Sequence, residues 1–242
     1  MASVWGLTDQ GTIRKQNQDF CAFAAEDALA WGVVCDGMGG AAAGDIASRM
    51  AAETFIGHVT QRKRLSLRPQ EGKLLKQAAE DANRAIYERA DADPGCRGMG
   101  TTMVGAILRD NTAWVVNVGD SRAYHITPEG IRRVTRDHSL VEELVQAGYI
   151  TPEQARFHPR RNIITRALGT TETIEADVFQ QPVRGGEYLL LCSDGLVNEL
   201  TDQQIQDEVQ KGGTAEEICR RLMDSALENG ASDNVSVVLF RI

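Results

Sequence analysis

The apolar residues of the chain fall into two patterns, short consecutive runs and stripes at helical spacing. Apolar runs bounded by Gly, Asp and Asn are typical of buried strands, and they occupy residues 20–24, 29–35, 101–108, 113–118, 188–192 and 235–240. Further strands are expected at 163–168 and 175–179, with a short hairpin over 124–134. Apolar stripes predict helices over about 41–59, 73–90, 139–147, 201–210 and 214–228.

Two polar segments separate these elements. Residues 61–72 carry four basic side chains and are interpreted as a solvated loop, with contact to a partner as the alternative. Residues 148–162 are irregular, contain Pro152 and Pro159, and are typical of a flap that faces a substrate. The order of strands, helices, strands, helices and a final strand predicts one α+β domain over residues 1–242. Since the strands are apolar on consecutive residues, both faces of each sheet need cover.

Aspartates stand where several of these strands begin or end. Three follow an apolar run, and two precede one. If the strands pair as antiparallel neighbours, all five side chains lie at one rim of the sheets. The five are Asp19, Asp36, Asp120, Asp194 and Asp233.

A convergent cluster of carboxylates would repel itself and raise its own pKa values. A hard divalent cation resolves that conflict, and ligation by oxygen alone points to Mg²⁺ or Mn²⁺. Gly37 follows Asp36 and lacks a side chain, so its carbonyl could reach a metal. Two such ions about 3.5–4 Å apart can activate a shared water for attack on phosphorus. The planar fork of Arg14 suits bidentate binding of a phosphate.

Each of these residues also has an ordinary structural interpretation. Single Asp-Gly turns are common, and an isolated arginine is usually a surface residue. Asn117 and Asn234 fit turn formation as well as support of a site. His138 and His158 could be ligands, but a lone histidine more often makes ordinary hydrogen bonds. The hypothesis of a metal site therefore depends on the repetition of the strand-end aspartates.

Composition and charge exclude several other classes. A net charge of −8 argues against a nucleic-acid or anionic-membrane binder. No apolar run approaches the roughly 18 residues of a membrane span, and residues 1–6 do not resemble a signal peptide. Five widely spaced cysteines without a CxxC pair indicate a reducing, cytoplasmic location and no thiolate zinc site. The spacing Gly39-x-x-x-x-Gly44 is followed by Asp45, where the phosphate-binding loop of nucleotide-binding proteins needs lysine, so a nucleotide-dependent enzyme of that type is excluded.

Ordered motifs over nearly the whole chain resemble the bacterial metal-dependent Ser/Thr protein phosphatases of the protein phosphatase 2C type. The motifs are Asp9-x-Gly11-x-x-Arg14-x-x-Asn17-x-Asp19, Val34-Cys35-Asp36-Gly37-Met38-Gly39-Gly40, Gly100-Thr101-Thr102, Asn117-Val118-Gly119-Asp120-Ser121-Arg122, Asp137-His138-Ser139, Thr165-Arg166-Ala167-Leu168-Gly169, Ser193-Asp194-Gly195 and Asp233-Asn234-x-Ser236.

The resemblance implies a fold and roles for individual residues. The fold would be a single-domain β-sandwich of two mainly antiparallel sheets flanked by α-helices, a four-layer αββα arrangement. The mechanism would be attack of a metal-bridging hydroxide on phosphoserine or phosphothreonine. Asp36 would bridge two metals; the Gly37 carbonyl would bind one of them, and Asp194 and Asp233 would bind the other. Asp120 and Asp194 would hold a third, weaker ion. Arg14 would bind the substrate phosphate, Asp19 would orient the metal-bound water, and residues at about 139–165 would form a flap.

Two positions depart from the family pattern. Ala41 stands where many bacterial relatives have histidine, and Gln18 stands where animal members have a glutamate. We expect a cytoplasmic, monomeric phosphatase that acts on phosphoproteins and opposes a Ser/Thr kinase, without nucleic-acid or membrane partners. The alternatives are a regulatory module that has lost turnover, which Ala41 makes conceivable, and a metal-dependent phosphodiesterase.

Overall fold

The computed structural model describes residues 2–26, 29–65 and 70–242, with the backbone alone for 40–42 and 62–65. The strands are β1 Ser3–Asp9, β2 Asp19–Glu26, β3 Leu29–Met38, β4 Gly100–Thr101, β5 Met103–Arg109, β6 Thr112–Val118, β7 Arg122–Thr127, β8 Gly130–Arg133, β9 Asp177–Pro182, β10 Tyr188–Cys192 and β11 Val235–Arg241. The helices are α1 Gly40–Leu65, α2 Glu71–Ala92, α3 Leu140–Gln146, α4 Pro152–Arg156, α5 Asp194–Glu199, α6 Asp202–Gln210 and α7 Ala215–Glu228, with a 3-10 turn at Pro94–Cys96.

The strands form two antiparallel sheets. One sheet has the order β1-β11-β10-β7-β8, and the other has the order β2-β3-β5-β6-β9 with β4 added to β3. Their hairpins follow the local sequence. In the β5–β6 turn, for example, Asp110 and Asn111 have φ values of 48° and 58°, as required by the two-residue turns that match strand twist.

Three apolar layers hold the elements together. Between the sheets, Val34, Leu189 and Phe240 are fully buried. On the outer face of the second sheet, Phe55 of α1 and Ile86 of α2 are buried, while α5, α6 and α7 cover the outer face of the first sheet. Full burial of each such side chain contributes about 1.5–3 kcal/mol. The structure thus confirms an α+β fold of two antiparallel sheets flanked by helices.

Side-chain caps begin four of the helices. Ser139 accepts a hydrogen bond from the backbone N–H of Glu142 at the start of α3. Thr214 and Glu217 form a reciprocal capping box at α7. Equivalent boxes begin α6 at Thr201 and α4 at Thr151. Each cap satisfies backbone N–H groups that a helix end otherwise leaves open.

Several boundaries differ from the sequence-based prediction. The prediction of a solvated loop at 61–72 was wrong in part, because α1 continues to Leu65 and α2 begins at Glu71. Residues 66–69 lie outside the described part of the chain. Strand β1 was missed because its apolar residues are few, and pairing with β11 supplies its stability. Residues 163–168 make only isolated bridges at Ile164 and Leu168. Helices α4 and α5 are too short for a periodic signal.

Among the residues that the structure describes, no helix has the length and apolar character needed to cross a bilayer.

Candidate active site

The strand-end aspartates meet at one end of the sandwich, as the antiparallel pairing predicted. Asp19 begins β2 directly opposite Asp36 in β3. Strand β10 is antiparallel to β11, and the Ser193 N–H donates to the Ser236 carbonyl at 3.0 Å beyond the paired residues. This pairing brings Asp194 and Asp233 to the same end, although they lie far apart in the sequence.

Asp36 is fixed by its backbone. Its N–H donates to the Thr102 hydroxyl at 2.9 Å, and the Thr102 N–H donates to the Asp36 carbonyl at 2.9 Å. The Thr101 hydroxyl donates to the same carbonyl at 2.9 Å. Thr102 and Ser121 also share a hydroxyl–hydroxyl bond of 2.7 Å. The β3 end is therefore tied to the segment that follows Asp120.

Gly37 lies at a close crossing of backbone segments. Its N–H donates to the Gln18 carbonyl at 3.2 Å. A β-carbon at this position would overlap the carbonyl oxygens of Gly44 and Gln18. Glycine is therefore required here for steric reasons, and the backbone stays open to close approach.

Arg14 reaches the cluster from the loop between β1 and β2. Its Nη2 lies 2.6 Å from Oδ2 of Asp233, with the Arg14 side chain 54% exposed. Asn234 holds this loop in place. Its amide donates to the carbonyls of Gln10 at 2.8 Å and Gln16 at 3.0 Å, and its Oδ1 accepts from the Gln18 N–H at 2.9 Å.

The carboxylates act on one another electrostatically. Burial raises the pKa of Asp19 to about 7, although the nearby Ser236 and Ser193 hydroxyls oppose the shift. Burial and then the charges of Asp19, Asp194, Asp120 and Asp233 raise the pKa of Asp36. The pKa values of Asp120 and Asp194 are raised in the same way, by burial and then by a neighbouring aspartate. The bare cluster thus disfavours its own negative charge.

These groups fit a cation. Both carboxylate oxygens of Asp19 and Oδ1 of Asp194 are buried and make no hydrogen bond of normal geometry, although the Ser193 and Ser236 hydroxyls lie near Asp19, which is unusual for polar atoms in a folded protein. Among the described residues, no group of three or more His, Cys, Asp or Glu side chains is arranged to bind a metal ion by itself. An ion here would therefore also need a backbone carbonyl such as that of Gly37, together with water, as Mg²⁺ commonly does.

Asp120 follows a turn that His138 holds from both sides. The Gly119 N–H donates to Nδ1 of His138 at 3.1 Å, and the His138 N–H donates to the Gly119 carbonyl at 2.9 Å. Nε2 of His138 lies 3.3 Å from Asp177. Burial lowers the pKa of His138. This agrees with a neutral ring whose Nδ1 accepts the hydrogen bond from Gly119.

Next to Asp120, a charged network joins the β7 end to α3. Arg122 donates to both oxygens of Asp137, at 2.7 Å for the shortest bond. Arg133 connects Asp137 to Glu142 of α3, at 3.3 and 2.8 Å. These residues line a cavity of about 700 Å³ that extends from Asp120 and Asp194 to the segment around α3 and α4.

The structure thus brings together every residue that the sequence singled out for the site. These are Arg14, Asp19, Asp36, Gly37, Asp120, Asp194 and Asp233. The Ala41 side chain lies outside the described part of the chain. His158 lies apart and accepts from the Arg160 N–H. Of the two interpretations that the sequence left open for Asn234, its contacts with the Arg14 loop favour support of the site. The supporting contacts of Thr102 and His138 were not anticipated, although both residues stand within the ordered motifs.

Comparison with known proteins identifies the family. The family model described as Protein phosphatase 2C matches residues 14–239. The serine/threonine phosphatase stp of Listeria innocua is 36% identical over 233 residues, which are 96% of this chain and 92% of that protein. The crystal structure of the serine/threonine phosphatase Stp1 from Staphylococcus aureus has a TM-score of 0.92 at 37% identity and covers 100% of this chain and 95% of that one.

A further solved structure contains metal. The catalytic domain of the serine/threonine protein phosphatase PstP, in complex with two manganese ions, has a TM-score of 0.85 at 32% identity. It covers 99% of this chain and 97% of that chain. The matched family region includes the whole carboxylate cluster and Arg14. The chain therefore belongs to the protein phosphatase 2C family of serine/threonine phosphatases.

Proposed function

We propose that this chain hydrolyses phosphoserine and phosphothreonine in proteins with Mn²⁺ or Mg²⁺ bound at the carboxylate cluster. The observation that carries the proposal is the convergence of five aspartates around buried carboxylate oxygens that make no hydrogen bond of normal geometry, with one exposed arginine at the edge. The family and the manganese complex of PstP support it.

In this proposal, different residues of the site would bind the metal ions, orient the water and bind the phosphate. Asp36, Gly37, Asp194 and Asp233 would hold two core ions, and Asp120 with Asp194 would hold a third, weaker one. When bound, the ions supply a water of lowered pKa as the nucleophile. Asp19 is buried beside Asp36, and its carboxylate would accept a hydrogen bond from a water at the cluster and so orient it. Arg14 would bind the phosphate dianion and oppose its charge during attack.

The remaining expectations belong to the same proposal. Residues 1–242 would form a single phosphatase domain with a flap at about 139–165. The partners would be phosphoproteins, including a cognate Ser/Thr kinase, and the protein would be a cytoplasmic monomer. The cavity that joins the cluster to α3 and α4 supports the flap assignment. The family of the chain supports the phosphoprotein substrates.

The first test is release of p-nitrophenol from p-nitrophenyl phosphate by metal-stripped protein, with and without Mn²⁺. We expect turnover only with metal, and phosphate release from phosphothreonine peptides under the same conditions. Folded protein that shows no turnover at any metal concentration would contradict the proposal and favour a regulatory module. Preference for a phosphodiester over a phosphomonoester would favour a phosphodiesterase.

The second test uses Asp194→Asn, with Asp224→Asn on the exposed face of α7 as the control. Removal of one buried like charge should leave the metal-free protein at least as stable as the wild type. We expect the variant to lose metal-dependent turnover and the rise in Tm that Mn²⁺ produces, while the control keeps both. Near-native activity of Asp194→Asn would contradict the site assignment.

A further inference from the structure

Most of the exposed large apolar side chains stand next to Arg14 in sequence or in the segment at 148–163. Among the described residues, the large apolar residues that are exposed are Ile13 (70%), Tyr149 (77%), Phe157 (81%), Ile163 (46%) and, on α2, Tyr87 (38%). Ile13 precedes Arg14, and Tyr149, Phe157 and Ile163 lie at positions 148–163. Exposed aromatic residues gathered on loops around one site are typical of interaction surfaces.

The same segment carries unpaired positive charge. Arg156, Arg160 and Arg161 are exposed, and none of them makes an ion pair with another described residue. Glu153 is the sole acidic residue between positions 148 and 166. By contrast, Arg133 and Arg166 nearby are paired with acidic residues. The flap surface, which we define as residues 148–163, is therefore locally basic on a chain of net charge −8.

One cavity connects the flap surface to the carboxylate cluster. Glu153, Arg156 and Arg161 line it on the flap side, and Asp120 and Asp194 line it at the cluster. Between them lie the Arg122–Asp137 and Arg133–Glu142 ion pairs, which also line the cavity and offset each other's charge. Its volume of about 700 Å³ is that of a site for a sizeable ligand. A phosphorylated side chain at the cluster would thus leave room in the cavity for neighbouring residues of the same substrate.

We propose that the flap surface docks an acidic segment of the phosphoprotein, next to the phosphorylated residue in sequence. This inference rests on the proposed function and adds a class of substrate to it. The arginine forks suit carboxylates or further phosphate groups on the substrate. Tyr149 and Phe157 supply apolar contact at its edge. Because the rest of the chain is acidic, a basic flap surface also orients an acidic segment toward the cavity.

Three phosphothreonine peptides with acidic, neutral or basic flanks test the proposal. We expect kcat/KM with Mn²⁺ to be about five- to tenfold higher for the acidic peptide than for the neutral one, since exposed charge pairs each contribute modestly. The difference should lie mainly in KM and should shrink as salt screens the charges. Equal rates, or a preference for the basic peptide, would overturn the proposal.

Variants locate the effect. The Arg156→Gln/Arg160→Gln double variant should lose the acidic preference, and Tyr149→Ser/Phe157→Ser should raise KM for all three peptides. Arg184→Gln removes an exposed arginine between β9 and β10 and should keep the preference. An acidic preference that persists in the arginine double variant would overturn the proposal. The proposal would also be overturned if the wild type were a dimer and the Arg156→Gln/Arg160→Gln variant a monomer, because a second copy of the chain would then occupy the flap surface.

Binding measurements separate this proposal from the proposed function. Fluorescence anisotropy of the same labelled peptides reports docking whether or not the protein turns over p-nitrophenyl phosphate. Tighter binding of the acidic peptide without any turnover would support docking and contradict the phosphatase activity. Metal-dependent turnover with equal binding of all three peptides would support the activity and contradict docking.

Discussion

Arg14 donates to Asp233 at 2.6 Å, so the residue proposed to bind phosphate is paired with a residue proposed to bind metal. The contact joins two segments that are far apart in sequence but adjacent at the end of the β-sandwich. Asp233 is also the first cause of the raised pKa of Arg14. A cation at Asp233 would compete with this ion pair and leave the guanidinium fork free for a phosphate.

Substitution of Arg14 should separate phosphate binding from metal binding. We expect Arg14→Ala to lower kcat/KM for p-nitrophenyl phosphate about 10- to 100-fold, the range for losing hydrogen bonds to a charged group. Arg14→Lys should restore little, because an ammonium cannot bind in a bidentate manner. Mn²⁺ affinity, measured by calorimetry, should not weaken. Inhibition by inorganic phosphate that is unchanged in Arg14→Ala would contradict this role.

Thr102 should link stability to the position of Asp36. Thr102→Val removes the hydroxyl that accepts from Asp36 and bonds to Ser121, which leaves buried polar groups unpaired and costs about 1–3 kcal/mol. Urea denaturation measures this loss, and calorimetry should show weaker Mn²⁺ binding. Thr102→Ser keeps the hydroxyl and is the matched control. Equal Mn²⁺ affinity in the valine and serine variants would refute the link.

Gly37 should tolerate no side chain. In Gly37→Ala, the new methyl group would overlap two carbonyl oxygens, so β3 and the start of α1 must move apart. We expect a lower Tm and loss of the Tm rise with Mn²⁺. Gly57→Ala in α1 meets no atom within 4 Å and should stabilise the protein by about 0.4–1 kcal/mol. A Gly37→Ala protein with wild-type responses would show that this crossing is not needed.

His138 should make stability depend on pH. Burial lowers the pKa of His138, with Arg166 acting in the same direction and Asp177 and Asp137 opposing it. Since the folded state resists protonation, its stabilising contribution is complete above the unfolded pKa of about 6.5. It is lost as the pH falls from there through the lowered folded value.

The comparison of wild type with His138→Gln isolates this contribution. The carboxylate cluster has raised pKa values and acts in the opposite direction, but it does so equally in both proteins. Between pH 7 and pH 5, the Tm of metal-free wild type should therefore fall relative to that of the variant. Parallel Tm curves over this range would contradict the assignment of a neutral, buried His138.

Much of the fold could be predicted from the sequence because its signals are local. Consecutive apolar residues at 188–192 and the Thr214–Glu217 capping box need only their own neighbours to specify a strand and a helix start. The aspartates at strand ends were visible for the same reason. Their convergence also followed once antiparallel pairing was assumed, since such pairing puts the end of one strand beside the start of the next.

Only the tertiary structure decided which distant groups meet. Strand β1 exists because β11 pairs with it, and the Arg14 loop is placed by the amide of Asn234, more than 200 residues away. The Thr102–Ser121 and Arg14–Asp233 contacts leave no periodic trace in the sequence. They depend on the register and packing of two sheets, so the sequence by itself determined which chemical groups the site has, and packing decided which of them touch.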